Sequence, residues 1–93
     1  MRFERDGSEH RWPTAATICR LFAEGTRWRV KVESWDAEGG VSGRFVFEPD
    51  GPEPSFGPRM TGPALRAGRR EEVIAAAYEV SEHRLRELLR SLS

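Results

Sequence analysis

Residues 17–48 read TICRLFAEGTRWRVKVESWDAEGGVSGRFVFE, and they hold almost every large side chain of the N-terminal half of the chain. Three runs with apolar residues at alternate positions are separated by two Gly-containing turns, Glu24-Gly25 and Glu38-Gly39. Alternation is the signature of strands with one buried face, so the stretch predicts an antiparallel β-meander. The middle run is the clearest, with Trp28, Val30 and Val32 alternating with Arg29, Lys31 and Glu33. Placing the second turn at Glu38-Gly39 sets Val32 opposite Phe45 and Val30 opposite Phe47, which gathers aromatic and β-branched residues on one face. Gly43, inside the third run, predicts a bulge or kink that lets the sheet curl.

The first run is ambiguous on spacing alone. Ala15, Ile18, Leu21 and Phe22 also fit a helix, with Pro13 near its start and Gly25 as its stop. Cross-strand pairing discriminates. A two-residue turn at Glu24-Gly25 sets Ala23 opposite Thr26, Leu21 opposite Trp28, Cys19 opposite Val30 and Thr17 opposite Val32. Those residues share one face, and the other face carries Arg20, Arg27, Arg29 and Lys31, with Ile18 and Phe22 as apolar exceptions. A one-residue slip destroys this agreement, so the strand is the reading adopted.

Outward from the meander, residues 1–6 alternate weakly around Phe3 and meet a turn signal at Asp6-Gly7, which predicts a short edge strand. After Glu48 the chain changes character. Residues 49–63 form a Pro/Gly-rich connector; from Pro49 to Pro58 Phe56 is the one large apolar residue, and a short strand is expected near Phe56 to Thr61. Residues 64–93 form a helical half. Val73, Ile74, Ala77, Tyr78, Leu85, Leu88, Leu89 and Leu92 recur at three- and four-residue spacing. Ser81 reads as an N-cap and Val80 as a staple onto Leu85, which favours two helices, 69–79 and 82–92. The unbroken apolar stripe and the lack of Gly or Pro over that range keep one continuous helix as the alternative. The expected fold is α+β: a three- to four-stranded antiparallel β-meander packed by a C-terminal helix or helix pair, in one domain over residues 1–93.

Composition excludes several classes of function. Fifteen basic and fifteen acidic residues cancel, and the pI is near 6.7, so no global field attracts nucleic acid or an anionic membrane. The basic set is fourteen Arg and one Lys, with no Asn or Gln in the chain. A single cysteine, Cys19, rules out an intramolecular disulfide framework and fits a reducing compartment. The first residues carry no apolar core of a signal peptide, and no apolar run reaches membrane-spanning length. A cytoplasmic location is the expectation.

No motif assigns catalysis. His10 and His83 lie far apart and one cysteine cannot complete a zinc set, so both histidines read as surface residues and no metal or cofactor is implied. Gly39-Gly40-Val41-Ser42-Gly43 lacks the Lys and the following helix of a phosphate loop, and Arg44 stands where a Gly-x-Ser-x-Gly elbow needs its last glycine. A turn accounts for these glycines and for the neighbouring Asp36 and Glu38. Cys19 has no base near it in sequence and reads as a small core residue.

Residues 73–89 resemble the helix-turn-helix pattern of bacterial DNA-binding domains. Ile74, Ala75, Val80, Ser81, Leu85 and Leu88 fall at that pattern's small and apolar positions, while Glu79 replaces the usual turn glycine. The resemblance implies a second helix that presents His83, Arg84 and Arg86 to DNA, with Arg69 and Arg70 adding backbone contacts. A broader resemblance runs from about Arg20 to Leu92. Trp28-Arg29-Val30, Gly43-Arg44-Phe45-Val46-Phe47-Glu48 and the terminal Leu-rich helix are similar to small uncharacterised bacterial proteins that pair a β-meander with a C-terminal helix, a likeness that implies a fold and no activity.

The remaining signal is the polar face of the meander, where Phe22, Trp35 and Val46 stand among Arg29 and Lys31. An apolar patch ringed by charge marks a partner or self-association surface unless residues 1–12 fold over it. The chain is therefore read as a small non-enzymatic module acting through contacts with a protein partner or a second copy, with DNA binding as the alternative and no membrane role.

Overall fold

A computed structural model describes residues 14–50 and 57–92. The expected strand at residues 1–6, the covering role of residues 1–12, His10 and most of the Pro/Gly connector lie outside the described residues. The order of elements is β1 (Thr14–Ala23), β2 (Thr26–Ala37), β3 (Gly40–Pro49), β4 (Arg59–Met60), β5 (Leu65–Ala67), α1 (Arg70–Tyr78) and α2 (Glu82–Ser91). The fold is α+β, an antiparallel meander with two C-terminal helices packed on one face.

Both turns sit where the alternation requires them. Glu24 and Gly25 take φ of 55° and 73°, so the β1–β2 connection has both central residues in the left-handed region, as a type I′ turn demands. Glu38-Gly39 makes the second turn, with Ala37 opposite Gly40. The register follows: Leu21 faces Trp28, Cys19 faces Val30, Val32 faces Phe45 and Val30 faces Phe47. Thr17 differs. It faces Lys31, and Ala16 takes the place opposite Val32, because a β-bulge falls between Thr17 and Cys19. The extra residue also moves Ile18 off the polar face, and it packs with the core.

Gly43 marks no bulge. The β2–β3 register runs unbroken through it, and a Cβ built there would lie 2.6 Å from Cγ1 of Val73. The glycine is the notch into which α1 docks. Pro49 is tolerated at the end of β3 for a related geometric reason. Asp50 donates its N–H to the Arg27 carbonyl at 2.8 Å, so the adjacent Trp28–Pro49 pair falls at a non-hydrogen-bonded position where a missing N–H costs nothing.

Two short strands share the far edge of β3: β4 pairs with Val46 and Phe47, and β5 with Val41 to Gly43. Residues 65–67, assigned to the helical half on sequence, are therefore a strand. Thr61 bridges the gap between β4 and β5. Its Oγ1 accepts the Phe45 N–H at 3.1 Å and its own N–H donates to the Phe45 carbonyl at 3.0 Å, so a buried side chain completes the ladder.

The core comprises Leu21, Trp28, Val30, Val32, Val41, Phe45 and Phe47 from the sheet, with Val73, Ala77, Leu85 and Leu89 from the helices. Helices α1 and α2 break at Glu79 to Ser81, within a residue of the boundaries the caps predict. Ser81 Oγ accepts the Arg84 N–H at 3.1 Å, and Val80 packs against the core beside buried Leu85. Glu79 is right-handed, with φ of −85°, so the left-handed step of a glycine turn does not occur there. Tyr78, expected on the apolar stripe, is 60% exposed because α1 buries only the Val73 and Ala77 line.

Candidate functional site

The outer face of the sheet is a ladder of cations and carboxylates. Arg20 and Arg29 lie directly opposite each other, a repulsive arrangement relieved by Asp50. One oxygen of that carboxylate takes Arg20 at 2.9 Å and the other takes Arg29 at 3.3 Å. Lys31 pairs with Glu48 at 3.1 Å, and Arg44 with Glu33 at 2.8 Å. Arg27, Arg20, Arg29, Lys31 and Arg44 against Glu33, Glu48 and Asp50 leave this face net positive in a chain of zero formal charge.

The predicted partner-binding residues do not form one patch. Phe22 is 61% exposed at the end of β1, opposite Arg27. Trp35 is eight residues further along β2 than Arg27, roughly 26 Å at the rise of a strand. It is half-buried under the Arg44 guanidinium, 5.8 Å from the ring centroid. Val46, expected to remain partly exposed, is only 4% exposed. In register it sits between Lys31 and Met60, flanked along β3 by Arg44 and Glu48, and the aliphatic stems of such side chains cover a small residue between them. Arg29 is committed to Asp50 and Glu48.

On α2, His83 and Arg84 both reach Glu87, at 3.2 and 3.4 Å, and Arg86 pairs with Glu82 at 3.0 Å. Arg86 also donates from Nε to the Phe22 carbonyl at 3.2 Å, which ties α2 to the edge of β1. Arg69 and Arg70 are exposed at the start of α1, where the Arg69 N–H bonds Glu72 Oε1 at 3.2 Å.

Two features escaped the sequence reading. Arg59, from the connector, stacks on buried Trp28 with its guanidinium 4.9 Å from the ring centroid. Its Nη1 reaches Glu24 in the first turn at 3.1 Å and the Leu89 carbonyl of α2 at 3.4 Å. No local pattern announces an arginine whose partners come from three distant elements. The second feature is a cleft of about 300 Å³ between β1 and the α1–α2 elbow, lined by Ile18, Cys19, Arg20, Tyr78, Val80, Glu82 and Leu85. Burial there pushes the Cys19 thiol above its ordinary pKa, and the Glu82 carboxylate adds to the shift. Both effects suppress the thiolate, which makes Cys19 a poor nucleophile.

Among the described residues no three His, Cys, Asp or Glu side chains converge as a metal set, and no helix is long and apolar enough to cross a membrane. Compared with known proteins, the chain matches no family model, no curated protein and no solved structure.

Proposed function

We propose that this chain is a small non-enzymatic module that works through protein contacts made at β1 and the adjoining end of the outer sheet face. The observation that carries the reading is Phe22: a 61% exposed aromatic on a strand that sits at the end of the sheet among the described residues, next to Arg20 and Arg27. Exposed aromatics beside arginines are the residue types that dominate interface energetics. Phe22 lies outside the core cluster, so its ring is available for contact with another chain. The test is sedimentation velocity over a wide concentration range together with selection of peptide ligands by the full chain. A binder or a self-association constant weakened roughly tenfold or more by Phe22→Ala, with unchanged thermal stability, supports the reading. A chain that stays monomeric at millimolar concentration and selects no ligand sinks it.

One observation favours DNA binding as a second reading, the break at Ser81 that gives α2 its own N-terminus. His83 and Arg84 are exposed there, although their carboxylate partners lie on the same helix. This reading requires salt-sensitive retention on duplex DNA that Arg84→Ala reduces. No retention at low ionic strength removes it.

A further inference from the structure

The outward groups of β1 follow from its pairing. A two-residue turn is closed by a hydrogen-bonded pair, so Ala23, Leu21 and Cys19 direct their backbone bonds to β2, while Phe22 and Arg20 direct theirs away from it. The Arg86 contact agrees, since its Nε reaches the Phe22 carbonyl from the side remote from β2. Among the described residues β1 has β2 as its one neighbour in the sheet. That leaves the Arg20 N–H and carbonyl facing outward beside the cleft.

The cleft and the edge are one surface. Ile18, Cys19 and Arg20 of β1 form one wall, and Tyr78, Val80 and Leu85 form the other. The bulge at Ile18 brings an apolar side chain to the cleft that regular alternation would have sent to the outer face. At about 300 Å³ the space lies at the lower end of small-molecule sites and suits a single large side chain. The charged groups at its rim are already engaged, Arg20 with Asp50 and Glu82 with Arg86. What remains uncommitted is apolar wall, including a 60% exposed tyrosine, and the outward N–H and carbonyl of Arg20, a donor and acceptor that an added strand engages together.

We propose that the β1 edge and this cleft bind an extended segment of a partner protein, which adds as a further strand beside β1 and inserts one large apolar side chain between Ile18, Tyr78 and Val80. The flanking residues of that segment are uncharged or acidic, because Arg20 and Arg29 share the Asp50 carboxylate and that end of the strand stays cationic. The same cationic end disfavours a second copy of this chain as occupant, since pairing β1 with β1 about a two-fold axis brings the cations of both copies to one edge. The proposal rests on the reading of the chain as a protein-contact module and names the geometry of the contact.

The experiment uses the full chain and a displayed library of random decapeptides, with the strongest binders synthesised. Each peptide is N-methylated at one position at a time. Addition as a strand predicts that methylation at alternate positions costs roughly tenfold in affinity and that the intervening positions tolerate it, as expected for loss of single backbone bonds. The Arg20 amide becomes protected from hydrogen exchange on binding. Tyr78→Ala weakens binding roughly tenfold at unchanged melting temperature, which separates contact from folding. A flat methylation profile, or binding that perturbs Trp35 and Arg29 and leaves Arg20 untouched, overturns the edge proposal while the protein-contact reading stands. Protection of Arg20 that rises with protein concentration without peptide makes a second copy the occupant and overturns it as well. No binder and no self-association overturn both.

Discussion

Thr61 performs at the scale of one side chain what a strand does elsewhere in the sheet. Between β4 and β5 the edge of β3 has no partner strand, and the Phe45 N–H is buried there, so the threonine hydroxyl accepts it and passes its own proton to the Gly62 carbonyl at 2.7 Å. Thr61→Val keeps the shape and removes the acceptor. It leaves a buried donor unsatisfied and costs about 1–3 kcal/mol, to be measured by urea denaturation. Thr61→Ser, which keeps the hydroxyl, costs less. Cys19 supplies a second prediction at this scale. Its folded pKa is raised, first by burial and then by Glu82, so folding favours the protonated thiol. The contribution is fully present below the thiol's unfolded pKa and is lost as pH rises through the folded one. Stability therefore falls across the alkaline range above roughly pH 8.5. Cys19→Ser removes that component of the slope, and an identical pH profile for the two proteins contradicts the assignment.

Elements here meet through matched shapes more than through polar contacts. Helix α1 approaches the sheet at Gly43, where the Val73 methyl occupies the space of a Cβ at 2.6 Å. Val73 is fully buried and β-branched, so it cannot swing aside. Gly43→Ala destabilises by about 1–3 kcal/mol through overpacking. Val73→Ala also destabilises alone, by opening a cavity. The double variant is more stable than the sum of the two predicts, and additivity in thermal melts contradicts the docking notch. The α1–α2 junction was legible beforehand for a different reason. A cap acts over four residues, so Ser81 and the Arg84 N–H it binds are close in sequence. The bulge or kink expected at Gly43 does not occur there because the residue that needs this glycine, Val73, lies 30 residues away, and among the described residues the bulge falls at Ile18, where no glycine marks it.

Across the whole molecule, Arg59 connects three separate elements through one side chain. It touches Trp28 in β2, Glu24 in the first turn and the Leu89 carbonyl in α2. With its side chain only 19% exposed, it loses packing as well as charge when truncated. Arg59→Ala lowers stability by about 1–2 kcal/mol, beyond the worth of a surface ion pair, and speeds hydrogen exchange in α2 more than in β3. Equal acceleration in both elements contradicts a coupling role. Arg59→Lys does not restore the wild type, because an ammonium lacks the planar fork that stacks and bonds together. The aromatics of the outer face, Phe22 and Trp35, are separated by most of the length of β2 and make no single patch, whereas β1 and the cleft beside it are continuous.

The amino-acid sequence by itself determined the two turns and the faces of β2 and β3, and it favoured a strand over a helix at β1 and two helices over one after residue 69, because each rests on a short period or on neighbours a few residues apart. Alternation and two-residue turns leave little freedom to a chain that must bury one face. Tertiary structure alone decided what depends on distant partners: the bulge that turned Ile18 inward, the covering of Val46, the exposure of Tyr78, the role of Arg59 and the cleft between β1 and the helical elbow. Those features arise where separate elements come to rest against each other, and no local pattern records that approach.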